Sequence, residues 1–67
     1  MTDTEALARL LAWIGRGEGR SVLMRGVPNN YRIRLHYPRS VAGDACQNGC
    51  GVGFASAVED ALARAPE

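Results

Sequence analysis

Apolar residues recur at helical spacing near the start of the chain. The residues at positions i, i+3, i+4 and i+7 are Leu7, Leu10, Leu11 and Ile14, flanked by Ala6 and Trp13. This spacing lines one face of a helix. Thr2 and Glu5 have the spacing of a capping box, which marks a helix start, and the glycine run that begins at Gly15 favours its end. The pattern predicts a helix over residues 3–15 with the leucine stripe as its buried face.

The next part of the chain predicts a β-hairpin. Residues 31–37 alternate strictly, with Tyr31, Ile33, Leu35 and Tyr37 on one face and Arg32, Arg34 and His36 on the other. Residues 21–27 supply the preceding strand, and Asn29-Asn30 supplies two residues able to adopt the positive φ of a tight loop. The pairs that this loop opposes are Arg25 with Arg34, Leu23 with His36, Val27 with Arg32, Met24 with Leu35, and Val22 with Tyr37.

The pattern weakens after the hairpin and becomes helical again at the end. Residues 38–53 contain four glycines and two cysteines without a clear period, and we expect at most a short third strand around Cys50–Phe54. Ser56 and Glu59 form a second capping-box pair. The apolar residues that follow at helical spacing are Val58, Ala61, Leu62 and Ala65. A second helix is therefore predicted, ending before Pro66.

This order of elements predicts a small two-layer α+β fold, built as a single domain over residues 1–67. Both helices would cover one face of an antiparallel sheet, and the other face would meet water or a partner. A sheet of two or three strands also leaves exposed edges, which invite strand addition or a homodimer.

Charge is distributed unevenly along a chain whose net charge is only +1. All eight basic residues are arginine, and residues 16–39 hold six of them against Glu18, a net charge of +5. Residues 40–67 hold four acids against Arg64, a net charge of −3. The acids Asp44, Glu59 and Asp60 form a secondary acidic patch in this interpretation. The chain therefore reads as a basic hairpin followed by an acidic tail.

Composition limits the location and class of the protein. The chain is 46% hydrophobic and 22% charged, which is typical of a globular domain rather than a disordered one. No apolar run is long enough to span a bilayer, and the acidic start lacks the basic residues of a secretory signal. We expect a cytoplasmic protein in which Cys46 and Cys50 are thiols.

No residue set in the sequence meets the needs of a catalytic or metal site. Structural zinc needs four ligands, so Cys46 and Cys50 would require both His36 and Asp44, or a dimer. A redox thiol pair is a second interpretation. The favoured one is that the cysteines pack as small apolar residues in a tight loop. The glycine runs lack the lysine of a phosphate-binding loop. We expect no enzyme activity, no metal and no cofactor.

The hairpin face that carries arginine is the leading candidate for binding a partner. Its residues are Leu23, Arg25, Val27, Arg32, Arg34 and His36. Opposed like charges destabilise a sheet, whereas an anionic partner would complement them, and arginine suits recognition of phosphate and carboxylate. A simply solvated face is the alternative interpretation.

The stretch Phe54–Leu62, which follows an alternating strand, resembles the strand-then-Ala/Leu-helix ending of HicB-like antitoxins. The resemblance covers about a third of the chain, and the Gly/Cys segment and the N-terminal helix depart from that pattern. It implies a regulatory protein. In size and lack of catalytic motifs the chain is also similar to accessory proteins of phages and mobile elements, including anti-CRISPR inhibitors.

The sequence supports two hypotheses about function. The leading hypothesis is a non-enzymatic binding or inhibitor protein of the anti-CRISPR type, which docks on a larger protein or nucleoprotein complex and acts by occlusion. The alternative is a small nucleic-acid-binding or antitoxin-like regulatory protein that uses the same arginine-rich face. A net charge of only +1 weighs against direct nucleic-acid binding.

Overall fold

The first helix, α1, spans Asp3–Gly15 in the computed structural model of the chain. The structure describes the backbone of residues 1–39 and 43–65, and the side chains of residues 1–38 and 45–65. The predicted capping box is present, because the Glu5 N–H donates to Thr2 Oγ1 at 3.2 Å and the Thr2 N–H donates to Glu5 Oε1 at 3.2 Å. The sequence prediction of this helix is confirmed in its position and in its N-terminal cap.

Three strands follow and form an antiparallel sheet in the order β1-β2-β3. They are β1 (Ser21–Val27), β2 (Asn30–Arg39) and β3 (Gly43–Gly51), and α2 (Phe54–Arg64) completes the fold. The predicted α+β fold is confirmed, with β2 at the centre of the sheet. The third strand differs from the expected one, since it begins well before Cys50 and ends before Phe54. Its sequence has no apolar period because three of its nine residues are glycine.

The hairpin register predicted from the sequence is wrong by two residues. The loop is Pro28-Asn29, and Val27 pairs with Asn30. Asn29 has a φ of 66°, and a proline followed by a positive-φ residue is the combination that a type II turn uses. A shift of two residues leaves every side chain on its predicted face. Only the identities of the opposed pairs change.

The second helix begins earlier than its capping pattern predicts. Its N-cap is Gly53, and Ser56 lies inside the helix, where its Oγ accepts a hydrogen bond from the Gly53 N–H at 3.2 Å. Glu59 lies in the middle of the helix and takes no part in the cap. Ser56 therefore still stabilises the start of the helix, as the acceptor for the N–H of the N-cap residue Gly53 rather than as the N-cap itself.

Helix α2 packs on β3 almost backbone to backbone. Gly49 is buried, and a Cβ added to it would clash with backbone atoms of Ala57 and Ala61. A Cβ added to Gly51 would lie 2.7 Å from the Ala57 backbone nitrogen. Glycine on the strand and alanine on the helix are therefore what permit this close approach.

Both helices cover the same face of the sheet, and the core lies between these two layers. Its buried residues are Ala6, Leu10, Trp13, Ile33, Leu35, Ala57, Val58 and Ala61. The Trp13 ring meets the ring of Tyr37 edge-on, with centroids 6.2 Å apart. The guanidinium of Arg20 lies 4.6 Å from the centroid of the Trp13 ring, and Arg20 Nη1 donates to the Trp13 carbonyl oxygen at 2.8 Å.

The leucine stripe predicted as the buried face of α1 is only partly correct. Leu10 is buried and Ile14 is half-buried, but Leu7 is 47% exposed and Leu11 is 60% exposed. The positions that the core uses instead are Ala6 and Trp13, which the sequence pattern treated as flanking residues. The helix is apolar over more of its circumference than its own sheet covers, so spacing alone could not select the buried side.

Candidate functional site

The sheet face opposite the helices, called here the open face, carries the predicted binding residues. Across β1, β2 and β3 it forms rows of neighbouring side chains. Read from β1 through β2 to β3, the rows of paired residues are Arg25–Arg32–Cys50, Leu23–Arg34–Asn48 and Ser21–His36–Cys46. Val27 and Asn30 pair beside the hairpin loop. The candidate residues of β1 and β2 therefore share one surface, as their alternation in sequence requires.

Two arginines oppose each other directly on the open face, but they are not the expected pair. Arg25 pairs with Arg32 rather than with Arg34. Arg34 lies between Leu23 and Asn48, and its Nε donates to Asn48 Oδ1 at 3.0 Å. Directly opposed like charges destabilise a sheet by a few tenths of a kcal/mol or more. The isolated chain therefore carries an electrostatic cost that an anion at this position would relieve.

A depression of about 320 Å³ lies on the open face, and arginine lines it on several sides. Arg25, Arg32 and Arg34 belong to the sheet, whereas Arg64 comes from the last turn of α2. We call this depression the arginine basin. Asn30, Asn48 and Cys50 add polar groups to its wall. This concave, donor-rich surface suits an anionic group, because arginine presents five N–H donors and no acceptor.

Arg64 is the basin arginine that sequence reasoning missed, and the polar groups of Asn30, Asn48 and Cys50 also join the basin without having been predicted. Arg64 Nη2 lies 3.3 Å from Asp60 Oδ1, and the i, i+4 spacing of that pair is visible in the sequence. The same Asp60 accepts a hydrogen bond from the Cys50 N–H through Oδ2 at 3.1 Å. Asp60 thus ties the last turns of α2 to β3, and this tertiary contact brings Arg64 to the basin.

The other predicted binding residues lie around the basin. Leu23 is 50% exposed and Val27 is 59% exposed, and His36 is half-buried between Ser21 and Cys46. Leu23 lines the basin directly. The open face is therefore a cationic surface with aliphatic side chains along its β1 side.

The structure does not gather the predicted acidic patch into one place. Asp60 is engaged by Cys50 and Arg64, and the Glu59 side chain is exposed. Asp44 pairs with Pro38, six residues along β3 from Cys50, a distance of about 20 Å in an extended strand. The side chain of Asp44 lies outside the described residues. Among the described acids, only Asp60 approaches the basin.

The cysteines lie in a strand rather than in the expected tight loop. Both are exposed free thiols on the open face. They are four positions apart along β3, or about 13 Å between Cα atoms, whereas a disulfide requires less than about 7 Å. Cys46 and Cys50 of one chain therefore cannot pair in this fold, and the interpretation of them as packed small residues is wrong.

Cys46 pairs directly with His36, and this is the closest approach of a thiol and an imidazole in the described sheet. Catalysis or metal binding needs a further group beside them. Within residues 1–38 and 45–65, whose side chains the structure describes, no cluster of three or more His, Cys, Asp or Glu residues could hold a metal ion.

No protein-family model, no curated protein and no solved structure matches this chain. The resemblance to HicB-like antitoxins therefore stays a hypothesis. In the described part of the chain, neither helix has the length and apolar character needed to cross a membrane.

Proposed function

We propose that this chain is a non-enzymatic binding protein that docks through its open face on an acidic surface of a larger protein and acts by occlusion. The observation that carries the proposal is the cluster of Arg25, Arg32 and Arg34, all exposed on one sheet face, with Arg64 at its rim. Among described side chains, Asp60 alone brings a carboxylate to this cluster, and it is already bonded to Arg64 and Cys50.

The rigidity of the sheet supports this proposal. Arg32 and Arg34 lie on the central strand, which is hydrogen-bonded on both sides, so their Cα positions are fixed before a partner arrives. A preformed surface loses less conformational entropy on binding than a flexible one. Charge complementarity also accelerates association and selects partners, which suits a small protein that covers a site on a larger one.

Direct binding of nucleic acid is the alternative, and the distribution of aromatic residues weighs against it. Tyr31 and Tyr37 lie on the helix-covered side of β2, Trp13 belongs to the buried core, and Phe54 packs against it. The chain has one Trp, two Tyr and one Phe, so the half-buried imidazole of His36 is the aromatic ring that remains on the open face. Nucleic acid would therefore contact this face largely through its phosphates, with little of the base stacking that single-strand binders use.

The test is capture of a partner from lysate of the source organism, with charge-reversal variants as controls. We expect Arg25→Glu and Arg32→Glu each to lose the partner. Arg9→Glu, the same change at an exposed position of α1, should retain it. Circular dichroism should show that all three variants fold. Retention that is equal in all three variants would disprove the role of the open face.

Nuclease treatment of the lysate separates the two kinds of partner. A protein partner remains bound after treatment, whereas a partner held through nucleic acid is lost. Fluorescence anisotropy with single-stranded and duplex probes at low salt gives a second measurement, because phosphate contacts produce affinity that falls steeply as salt increases. Tight, salt-dependent probe binding that requires Arg32 would favour the alternative. If the chain is an inhibitor of the anti-CRISPR type, its partner would be an RNA-guided effector complex, and this partner class stays a prediction.

A further inference from the structure

The β1 side of the molecule leaves an unusual amount of apolar surface uncovered. None of the seven residues of β1 is buried, and Met24 is 54% exposed although it lies on the helix-covered side of the sheet. Leu7 and Leu11 of α1 are exposed to a similar degree. Large apolar side chains grouped in this way are typical of an interaction surface.

Helix geometry places these two leucines on the same side of the molecule as β1. Successive residues of a helix differ by about 100°, so Leu7 and Leu11 point about 100° away from the buried stripe of Ala6, Leu10 and Trp13. One side of α1 packs against α2, and the helix also contacts β1. The leucines therefore face away from α2, towards β1. We call Leu7, Leu11, Met24 and the free edge of β1 the β1-side surface.

The free edge of β1 also presents unpaired backbone groups. The residues that flank a two-residue hairpin loop form a hydrogen-bonded pair. Val27 and Asn30 occupy that position. Alternate residues of β1 then bond to β2, and Val22, Met24 and Gly26 direct their N–H and C=O groups outwards. On the opposite edge, by contrast, Asp60 accepts the outward N–H of Cys50.

The total exposed surface of the chain is also larger than expected for a monomer, which again indicates an uncovered interaction surface. The chain exposes 4598 Å², whereas surface scaling gives about 4,100 Å² for a monomeric protein of 7.2 kDa. The excess of about 500 Å² is more than half of the roughly 800 Å² that each partner contributes to a standard interface.

We infer that a second copy of this chain covers the β1-side surface. An antiparallel strand can pair with its own copy about a two-fold axis, and this symmetry also sets the two α1 helices antiparallel. The free edge and the two leucines are thus both self-complementary about this axis. This inference does not depend on the proposed function.

The dimer has a structural consequence for the open face. Pairing of β1 with its copy joins two three-stranded sheets into one sheet of six strands. Because the two-fold axis runs perpendicular to that sheet, both sets of helices lie on one side and both arginine basins on the other. A partner would then meet two cationic basins on one continuous surface.

Analytical ultracentrifugation of the full chain tests the dimer, at concentrations up to about 200 μM because dimer population depends on protomer concentration. We expect the wild type to sediment with twice the 7.2 kDa of one chain. Leu11→Glu should shift it to the monomer mass, because it places a charge in the interface. Val52→Glu, at a 73% exposed residue between β3 and α2, should leave the dimer intact.

Amide hydrogen exchange identifies the edge directly and shows in the same measurement whether the variant is folded. In the wild type we expect protection of the Val22 and Met24 N–H groups to increase with concentration. In Leu11→Glu this protection should be lost while Ile33 stays protected. A monomeric wild type, a dimer that Leu11→Glu does not weaken, or concentration-dependent protection of β3 instead of β1 would each overturn the inference.

Discussion

The two edges of the sheet are built in opposite ways. On the β3 side, Gly49 and Gly51 let α2 approach the strand backbone, and Asp60 caps an outward N–H. On the β1 side every residue of the strand is exposed or half-buried, and α1 contacts β1 only sparsely.

The small core is packed most closely between α2 and the β2–β3 half of the sheet. Ala57, Val58 and Ala61 of α2 are completely buried, while β1 contributes no buried residue. We therefore expect the β3 side to contribute more to the stability of the fold than the β1 side does. The β1 side and the open face are left available for contacts with other molecules.

The largest difference in stability between the two edges should come from replacing one glycine on each side, Gly49 on β3 and Gly26 on β1, with valine. The added side chain at Gly49 meets the backbone of α2, which cannot move aside, and overpacking of this kind costs about 3 kcal/mol or more. At Gly26 the nearest atoms belong to the Tyr31 ring, 2.6 Å from the added Cβ, and a half-buried ring can rotate. We expect Gly26→Val to change the free energy of unfolding by at most about 1 kcal/mol.

Urea denaturation followed by circular dichroism checks this pair. If both valine variants lost similar stability, close packing of α2 on β3 would not be the main contribution of that edge.

The uneven core can also be tested by shortening a buried leucine on β2 and an exposed leucine on β1 to alanine. Leu35 on β2 is fully buried and Leu23 on β1 is 50% exposed. Leu35→Ala should lower the free energy of unfolding by about 3 kcal/mol, because it leaves a cavity in the core. Leu23→Ala should cost about 0.5 kcal/mol. Equal losses in denaturation experiments would contradict the uneven core.

Removal of the carboxylate at Asp60 tests the cap of the β3 edge. Asp60→Ala leaves the Cys50 N–H without its acceptor and Arg64 without its ion pair. We expect a loss of about 1 kcal/mol in the free energy of unfolding, together with faster exchange of the Cys50 amide. Glu59→Ala makes the same charge change at an exposed neighbour and should cost less than about 0.5 kcal/mol. Indistinguishable variants would remove Asp60 as an edge cap.

The pH dependence of the α1 cap should be the smallest effect. The Thr2 backbone N–H, followed by the Thr2 hydroxyl, lowers the pKa of Glu5 below its ordinary value of 4.5. A lowered pKa in the folded state means that the ionised carboxylate stabilises the fold above 4.5, and that this contribution disappears as pH falls through the folded pKa. The stability difference between wild type and Glu5→Gln should therefore shrink in acid. A difference that stayed constant through this range would show that the cap does not depend on ionisation.

The sequence predicted the elements best where their signals are local. The Thr2–Glu5 cap and the glycines after α1 fix that helix, and the alternation in β2 fixes which side chains share a face. Strand β3 was located poorly, because a strand with glycine at its close contacts has little apolar pattern. Its position depends on pairing with β2 and on the approach of α2, and both are long-range contacts.

The candidate site divides in the same way. Arg25, Arg32 and Arg34 were placed on one face by alternation, and a register error of two residues changed their opposed pairs without moving them off that face. Arg64 joined the basin only through the packing of α2 on β3. The sequence could not reveal this contact, because it joins residues that are distant in the chain.

The order of the elements, and the face on which each side chain of the hairpin lies, follow from local patterns in the sequence, because a period of two or 3.6 residues is a property of the local backbone. Long-range packing settled the other features. It selected Pro28-Asn29 as the loop, it gave Ala6 and Trp13 to the core, and it left Leu7 and Leu11 uncovered. Those choices depend on how few apolar side chains one small sheet can cover, and no local period carries that information.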